Sequence, residues 1–363
     1  MANVLDLRRR IRSVKNTRQI TKAMQMVAAA RLRRAQDRAM QVRPYVHMLT
    51  SVLESLVRRT DMYNEQTGEI LHPLLVEREE KNILVIVSAG DKGFAGAFNH
   101  NIAKAGRAFI DARLAQGKTV DIEAIGRKAI AMVSKRFPVA VYEKKEEHYD
   151  NDLSTHYEVL RHRAAPIEVT GEHPTMLQKV EVPEVRAFGL SIVERYTRAE
   201  IDSVYIVYNE FKSVIAQHVV VKKLLPIRKL GTHETTVLQE MTEEEKEAAA
   251  KAAVTAGVSP FGAEESALEA EAAKFGTADV DYIFDQDPSR IFRHLLPRYV
   301  GTQIFHALLE SVASEQAARM TAMDAATNNA GEMIDAYTLQ MNRVRQAAIT
   351  KEIIEIVSGA AAL

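Results

Sequence analysis

The sequence contains no cysteine. This absence excludes disulfides, thiolate metal sites and thiol-based redox switches. Long hydrophobic runs are also lacking, because the longest strongly apolar run, 83–87, is far shorter than the ~20 residues that span a bilayer. The charged N-terminus has no apolar signal-peptide core. We therefore expect any association with a membrane to be peripheral.

The chain has no excess charge of either sign, since 48 Lys and Arg balance 48 Asp and Glu. This total does not suggest a nucleic-acid partner. It nevertheless hides two opposite segments: residues 1–43 carry twelve Lys or Arg and two Asp, and residues 240–287 carry thirteen acids and three bases. Residues 1–43 also lack the Trp and Phe that favour a helix on a lipid surface. We therefore interpret the cationic segment as a helix face that meets acidic protein loops.

Glycine and proline are scarce at both ends of the chain. No glycine precedes Gly68, and Pro44 is the one early proline. Apolar residues recur at helical spacing in this stretch, at Leu7, Ile11, Val14, Ile20, Met24 and Val27. The pattern predicts a helix from about residue 3 to about residue 58, roughly 80 Å long.

The C-terminal end shows the spacing of a helix that faces a partner helix. Its apolar residues step by three and four, at Ile334, Tyr337, Met341, Val344 and Ala348. Only Gly301 and Gly331 interrupt residues 298–358, which predicts a second helix of roughly 90 Å. Small residues at 28–30 allow the two helices to approach closely, while Arg31, Arg33 and Arg34 point outward. The ends therefore predict a slender rod.

The middle of the chain alternates strand-like and helix-like stretches. The runs "NILVIVSAGDKGFAGAFNHNIAKAGRAFIDARL" and "TVDIEAIGRKAIAMVSKRF" each read as a strand followed by a helix, and "DSVYIVYNEFKSVIAQHVVVKKLLPI" reads as two strands about a turn. We predict an α/β fold plus a long α-helical coiled coil, in which the terminal helices pair antiparallel around a small Rossmann-like domain.

This interpretation divides the chain into four parts. Residues 1–60 form the N-terminal coiled-coil helix and residues 288–363 the C-terminal coiled-coil helices. Residues 80–230 form the α/β domain, with a loop-rich insertion at about 143–182. Residues 231–280 form an acidic, Ala/Glu-rich insertion that we interpret as solvated helix and linker.

No catalytic, cofactor or metal site can be argued from the residues. The loop with Gly90, Gly93 and Gly96 follows a strand and opens a helix, but it has neither G-x-G-x-x-G spacing nor the Gly-Lys-Ser/Thr of a P-loop, which favours a structural turn. Five side chains in the first insertion could ligate a metal, but they lack helical pairing, which favours a solvated loop. They are His148, Asp150, Asp152, His156 and His162.

Two long motifs carry a resemblance to a known family. "IRSVKNTRQITKAMQMVAAARLRRAQ" and "SEQAARMTAMDAATNNAGEMIDAYTLQMNRVRQAAITKEIIEIVSGAAAL" resemble the two ends of the gamma subunits of bacterial F-type ATP synthases, at the correct termini and in the correct order. "SAGDKGFAGAFN", "IGRK", "YIVYNEF" and "LLPI" resemble the middle domain of that family. The resemblance covers most of the chain outside the two insertions.

The resemblance implies a non-catalytic rotor shaft that binds no cofactor. In this family one copy per complex turns inside a ring of alternating alpha and beta subunits, and its middle domain contacts the epsilon subunit and the membrane c ring. The complex lies on the cytoplasmic face of the bacterial inner membrane. The resemblance implies that Met24, Arg345 and Gln346 contact the beta subunits, and that the residues of the 205–211 strand lie toward epsilon and the c ring. Those strand residues are Tyr205, Tyr208, Asn209 and Phe211.

An alternative remains at this point: a freestanding coiled-coil interaction protein with a nucleotide-binding α/β domain. A nucleotide titration of the isolated chain would reveal a ligand in the glycine loop. Nucleic acid is not expected as a partner of either form.

The two insertions carry separate expectations. Deletion of the segment 143–182 is expected to leave ATP synthesis unaffected at neutral pH.

In the second insertion Thr242 is a plausible helix N-cap with Glu245 three residues later. Photosynthetic members of the family that this chain resembles carry an extra segment at the same junction, and the plant type uses a cysteine pair there as a redox switch. The segment of this chain has no cysteine. It also lacks an apolar stripe, so we expect it to bury little. Two interpretations stay open: a solvated appendage with no role, and a mild, salt-sensitive brake on ATP hydrolysis, which we predict.

Overall fold

The computed structural model describes residues 4–59, 72–147, 156–227, 235–260 and 288–361. Two helices dominate it: α1 spans Val4–Arg59 and α6 spans Pro288–Ala361. At 1.5 Å per residue they are about 80 Å and about 110 Å long. Helix α6 begins at residue 288, the start of the predicted C-terminal coiled-coil segment, and runs through Gly301 and Gly331 without a break. The predicted fold class, a long coiled coil with an α/β domain, is confirmed.

Helices α1 and α6 pair antiparallel to form the rod. Gln25 Nε2 donates to Asp324 Oδ1 at 2.8 Å, and Thr327 Oγ1 donates to Thr21 Oγ1 at 2.8 Å, so the residue number falls in one helix as it rises in the other. Part of the predicted stripe is wrong, because Ile20 and Val27 are exposed. The contact is made instead by the small and polar residues Thr21, Gln25, Ala28 and Ala35, together with Leu32.

The middle domain is a six-stranded sheet with helices on both faces. Its strands lie in the order β5-β2-β1-β6-β7-β8, parallel from β5 to β6 and antiparallel from β6 to β8. The strand bounds are β1 Asn82–Ser88, β2 Thr119–Ile125, β5 Ile167–His173, β6 Ser203–Ser213, β7 Ala216–Leu225 and β8 Thr235–Glu240. Strand β1 lies in the centre and is almost wholly buried, as its continuous apolar run predicts.

The remaining elements surround this sheet. They are a 3₁₀ helix at Pro73–Leu75, α2 at Phe98–Ala115, α3 at Arg127–Val133, α4 at Val182–Thr197, α5 at Glu243–Thr255, and a separate hairpin of β3 Val141–Glu147 with β4 His156–His162. Helices α2 and α3 cover one face. The other face packs against α4, the C-terminal part of α1 and the first half of α6, so the rod and the sheet share one core.

The expected loop-rich insertion at about 143–182 is wrong. The segment supplies β4, the edge strand β5 and the start of α4. Strand β5 reads "IEVTGEH", and its few apolar residues are too sparse to signal a strand. Pairing with β2 holds it in place, and ion pairs fix the hairpin beside it.

Buried carboxylates anchor that hairpin. Asp121 on β2 and Glu168 on β5 are both only 1% exposed. Arg161 of β4 donates to Asp121 at 2.6 and 2.8 Å and to Glu168 at 2.7 Å, and Arg163 and Arg195 also pair with Asp121. Because buried carboxylates are costly unless paired, deleting the segment would destabilise Asp121, which would lose Arg161 and Arg163 and keep only Arg195 of its three arginine partners.

The second insertion also departs from expectation. The capping box of Thr242 and Glu245 is confirmed at the start of α5. The expectation that the segment buries little is wrong, because β8 extends the sheet and Ala249, Ala252 and Ala253 of α5 are buried against the rod. Alanines give no strong apolar stripe, yet they let helices approach closely. Residues 228–234 and 261–287 of this region lie outside the described residues.

The structure describes only part of the set of metal-capable side chains in the first insertion, for which the sequence favours a solvated loop. His148, Asp150 and Asp152 lie outside the described residues. His162 is exposed and lies 3.5 Å from Glu143. Among the described residues no group of His, Asp or Glu could hold a metal ion.

No described helix is long and apolar enough to span a membrane.

Replacing Arg161 with alanine is expected to lower the free energy of unfolding by about 2–4 kcal/mol, because Asp121 and Glu168 stay buried with fewer partners. Urea denaturation of the isolated chain measures this change. The matched control is Arg198→Ala, since Arg198 pairs with Glu194 where both side chains are largely exposed, and such pairs contribute less than about 1 kcal/mol. Equal effects of the two substitutions would contradict the anchoring role of Arg161.

Candidate functional site

The glycine loop lies against the rod. Arg319 of α6 donates to the carbonyl oxygens of Gly93 at 3.3 Å and Lys92 at 3.5 Å, and it pairs with Glu315 at 2.5 Å. Asn99 of α2 accepts from the Gly90 amide at 2.9 Å. The loop therefore joins β1, α2 and the rod, and we call this set of contacts the loop–rod joint.

The same loop also holds α3. Asp91 Oδ1 accepts from the Arg127 amide at 3.1 Å, at the first residue of α3. A carboxylate at a helix N-terminus is favourable because it meets unpaired amides and the positive end of the helix dipole. The carboxylate of the loop is thus engaged at the start of α3, the helix after the one that the loop itself opens.

Glu315 is a buried charge in the joint, only 6% exposed. Burial raises its pKa above the usual value, although Arg319 acts in the opposite direction. A Cβ added to Gly90 would lie 2.7 Å from Glu315 Cδ and 3.2 Å from Asn99 Oδ1. Glycine at position 90 is therefore required by close approach to the rod, and the loop has a structural role.

Further polar contacts tie the sheet to α6 at two levels, about three helical turns apart. Lys222 of β7 donates to Gln303 at 2.7 Å, and Ser314 donates to the Asn209 carbonyl at 3.3 Å. Burial lowers the pKa of Lys222 to about 8, against the opposing effect of Glu310 and Glu210. The α/β domain is thus attached to α6 by buried charges as well as by the apolar core.

The structure separates the residues assigned to the beta subunits. Met24 is half-buried in the rod, while Arg345 and Gln346 are exposed. The pairing of Gln25 with Asp324 puts Met24 opposite about residue 325, so Arg345 lies some twenty residues further along α6, a distance of roughly 30 Å. The three residues therefore mark two levels of the rod.

Beyond Arg345 the helix α6 extends past the described start of α1. Apolar side chains in this tip are strongly exposed, including Ile349, Ile353, Ile354, Ile356 and Val357. An apolar surface of this kind is typical of a region covered by another protein.

The strand residues assigned to epsilon and the c ring point into the chain's own interior. Tyr205, Tyr208, Asn209 and Phe211 are each at most 8% exposed. Tyr205 donates to Glu80 at 2.6 Å, and Phe211 packs in the core between α5 and the rod. Direct contact through these side chains is therefore not available in this conformation. The orientation of the segment toward those partners stays a prediction.

Sequence reasoning missed Glu315 and Arg319. Both lie in the "SEQAARM" stretch, where an acid and an arginine four residues apart interrupt small residues on an otherwise buried helix. That spacing could have indicated an ion pair, because residues four apart lie on one helix face. Which loop the pair would meet depended on the tertiary fold.

Comparisons with known proteins agree along the whole chain. A family model described as ATP synthase matches residues 3–363. The ATP synthase gamma chain of Solibacter usitatus is 41% identical over 362 residues, covering 100% of this chain and 99% of the relative. The gamma chain of Chloroherpeton thalassium is 36% identical over 364 residues, covering 100% and 99%. A cryo-EM structure of the Tetrahymena thermophila mitochondrial ATP synthase central stalk and c-ring is 21% identical, with a TM-score of 0.48 over 85% of this chain and 99% of that chain.

Replacing Gly90 with alanine is expected to lower the free energy of unfolding by about 1–3 kcal/mol, because the new Cβ overlaps the buried Glu315 carboxylate. Thermal or urea unfolding of the isolated chain measures the loss. Gly93→Ala is the matched control, since no heavy atom lies within 4 Å of a Cβ at that position, and its effect should stay within about 0.5 kcal/mol. A Gly90→Ala chain as stable as the control would show that the loop does not need this close approach.

Proposed function

The chain belongs to the gamma-chain family of ATP synthases, and we propose that it couples ion flow through a membrane c ring to ATP synthesis or hydrolysis on beta subunits by rotating as their central shaft. It is a non-catalytic subunit of the ATP synthase complex. The observation that carries the proposal is α6, one unbroken helix that lies in the core of the α/β domain at one end and forms the exposed tip of the rod at the other.

This continuity is what a shaft requires. A turn applied to the α/β domain passes into α6 through the shared core and through the loop–rod joint. The pairing with α1 stiffens the emerging helix. No hinge of glycine or proline divides the described part of α6 into separate helices, so the domain and the tip must turn together.

The proposed partners follow from the surfaces of the rod. The exposed apolar tip of α6 would be enclosed by a ring of three alpha and three beta subunits, and the arginines on α1 would meet acidic loops of that ring. The α/β domain would contact epsilon and the c ring. In this proposal each complex contains one copy of the chain, which lies peripherally at the cytoplasmic face of the bacterial inner membrane.

The geometry does not favour the alternative of a freestanding coiled-coil protein with a nucleotide-binding domain. Arg319 binds the carbonyls of the glycine loop, and Asp91 occupies the start of α3. The carboxylate of the loop and two of its carbonyl groups are thus already bound within the chain. The same loop geometry is well suited to holding the rod.

Replacing Arg345 and Gln346 with alanine is expected to lower ATP-driven turnover of the assembled complex about tenfold while leaving assembly intact. Both side chains are exposed and contribute nothing to the buried contact of α1 with α6. Charge-assisted hydrogen bonds that they make to beta subunits would contribute about 1.5–3 kcal/mol each. ATPase assays on purified complexes measure the turnover.

The control for that pair is Lys351→Ala, a nearby exposed cation that projects more than about 100° away from both Arg345 and Gln346 around the helix. It should leave turnover within about twofold of the parent. Loss of assembly with normal turnover in the surviving complexes would mean that Arg345 and Gln346 are structural residues.

We also propose that α5 acts as a mild brake on ATP hydrolysis. Its alanines pack against Ala28, Leu32 and Met320 of the rod, within about eight residues of Met24, the level assigned to the beta subunits. A helix docked there adds bulk and acidic charge to the rod below the ring. Drag of this kind would weaken at high salt, because exposed charges are screened beyond about 10 Å at 0.1 M.

Ala253→Asp is expected to release α5 by burying a carboxylate against the rod, and to raise ATP hydrolysis more than ATP synthesis. The difference should shrink as ionic strength rises. Val254→Asp is the matched control, since the neighbouring Val254 side chain is 70% exposed. Paired assays of hydrolysis and synthesis measure the effect, and unchanged hydrolysis of Ala253→Asp at low salt would contradict the brake.

A further inference from the structure

A cavity of about 210 Å³ lies where the sheet, α2, α5 and the rod meet, and we call it the junction cavity. Its polar lining residues include Asn101, Asn209, Glu240, Glu245 and Thr321. Small and apolar residues form much of the remaining wall, among them Ala97, Val219, Met241, Ala248, Ala318 and Ala322. No element of the proposed rotor mechanism uses this space.

Asn209 supplies the feature that points to a ligand. Its side chain is 7% exposed, and its Oδ1 has no hydrogen-bond partner among the described residues. Strand alternation directs it to the α2 side of the sheet, together with Tyr205 and Val207, whereas Tyr208 packs on the opposite side. A buried acceptor without a donor costs free energy, so a ligand that brings an N–H or O–H group to Asn209 is favoured.

The charge at the mouth of the junction cavity favours cationic ligands over neutral or anionic ones. Glu240 and Glu245 are exposed carboxylates at the mouth of the cavity, and the described lining includes no Lys, Arg or His. The N-terminus of α2 adds a partial positive charge of about half a unit, which two carboxylates exceed. The cavity therefore combines acceptors and net negative charge with apolar walls.

We propose that the junction cavity binds a primary aliphatic amine. The ammonium or amine N–H groups would meet Asn209 inside and the two carboxylates at the rim, and the methylene chain would lie along the alanines. Two sources share this chemistry: a free diamine, and a lysine side chain from another subunit of the complex. Either would link the insertion, which supplies Glu240 and Glu245, to the sheet and the rod. Binding of a free diamine does not depend on the proposed rotor function.

Isothermal titration of the full-length chain with 1,4-diaminobutane at low salt tests the first source. Asn209→Leu should weaken binding about tenfold through loss of the buried acceptor. Glu240→Gln should weaken it about threefold, since an exposed charge contributes less. Glu247→Gln, an exposed acid on α5 outside the cavity lining, is the matched control and should have no effect. The neutral isostere 1,4-butanediol should bind more weakly than the diamine.

A second substitution guards against a variant that fails to fold. Asn209→Asp keeps the side-chain shape and adds a charge, so it should tighten diamine binding. Circular dichroism confirms that each variant is folded before titration. Diamine affinity that is unchanged in Asn209→Asp and in Glu240→Gln would overturn the proposal, because it would reflect attraction to the acidic surface in general.

Carbodiimide coupling in the assembled complex tests the second source. Mass spectrometry would identify a lysine of another subunit joined to Glu240 or Glu245, and excess 1,4-diaminobutane should suppress that product. Coupling without diamine binding to the isolated chain identifies a partner lysine as the occupant, whereas diamine binding without coupling identifies a free amine. Absence of both overturns the proposal and leaves the rotor function untouched.

Discussion

The whole structure depends on the fact that α6 belongs to two cores at once. Its first half packs with Leu84, Ile206 and Phe188 in the core beneath the sheet, and its continuation packs with α1 in the rod. A helix cannot rotate in one packed core and stay still in another, because side chains interlock at native density. This constraint makes the α/β domain and the rod one mechanical body. The loop–rod joint adds a second attachment on the same helix, at Glu315 and Arg319.

The rod is held by small and polar residues, which has a physical consequence. Hydrophobic stabilisation scales at about 25 cal/mol per Å² of buried apolar surface, so alanine contributes less per turn than leucine would. The pairs Gln25–Asp324 and Thr21–Thr327 fix the register where apolar packing is weak. Buried polar residues in paired helices have this role of specifying one alignment. The result is a pair of helices that is thin and still uniquely aligned.

Much of the fold could be predicted from the sequence, because the deciding signals were local. The scarcity of glycine and proline predicted α1 and α6, the run at 83–87 predicted β1, and Thr242 with Glu245 predicted the start of α5. The errors have one cause in common. Three features were mispredicted: strand β5, the docking of α5, and the polar contact of α1 with α6. Each is determined by the element that the segment packs against, because its own residues carry little apolar periodicity. The loop–rod joint was missed for the same reason, since Glu315 and Arg319 acquire their role only when the glycine loop is brought against α6.

The contacts of α6 residues 313–320 mark the boundary between two parts of the molecule: the base, where the α/β domain surrounds the rod, and the shaft, where the rod is exposed. Successive residues of α6 project about 100° apart, so one short stretch can face several elements. Here Ser314 meets the sheet, Glu315 and Arg319 meet the glycine loop, and Ala317 and Met320 meet α1 and α5. The chain therefore surrounds its own rod at this level. Further toward the tip, from about Met24 on α1 and residue 325 on α6, the outer faces of the rod are increasingly exposed. The surface that a surrounding ring could enclose thus begins where the contacts of the base end, and Met24 lies at that boundary.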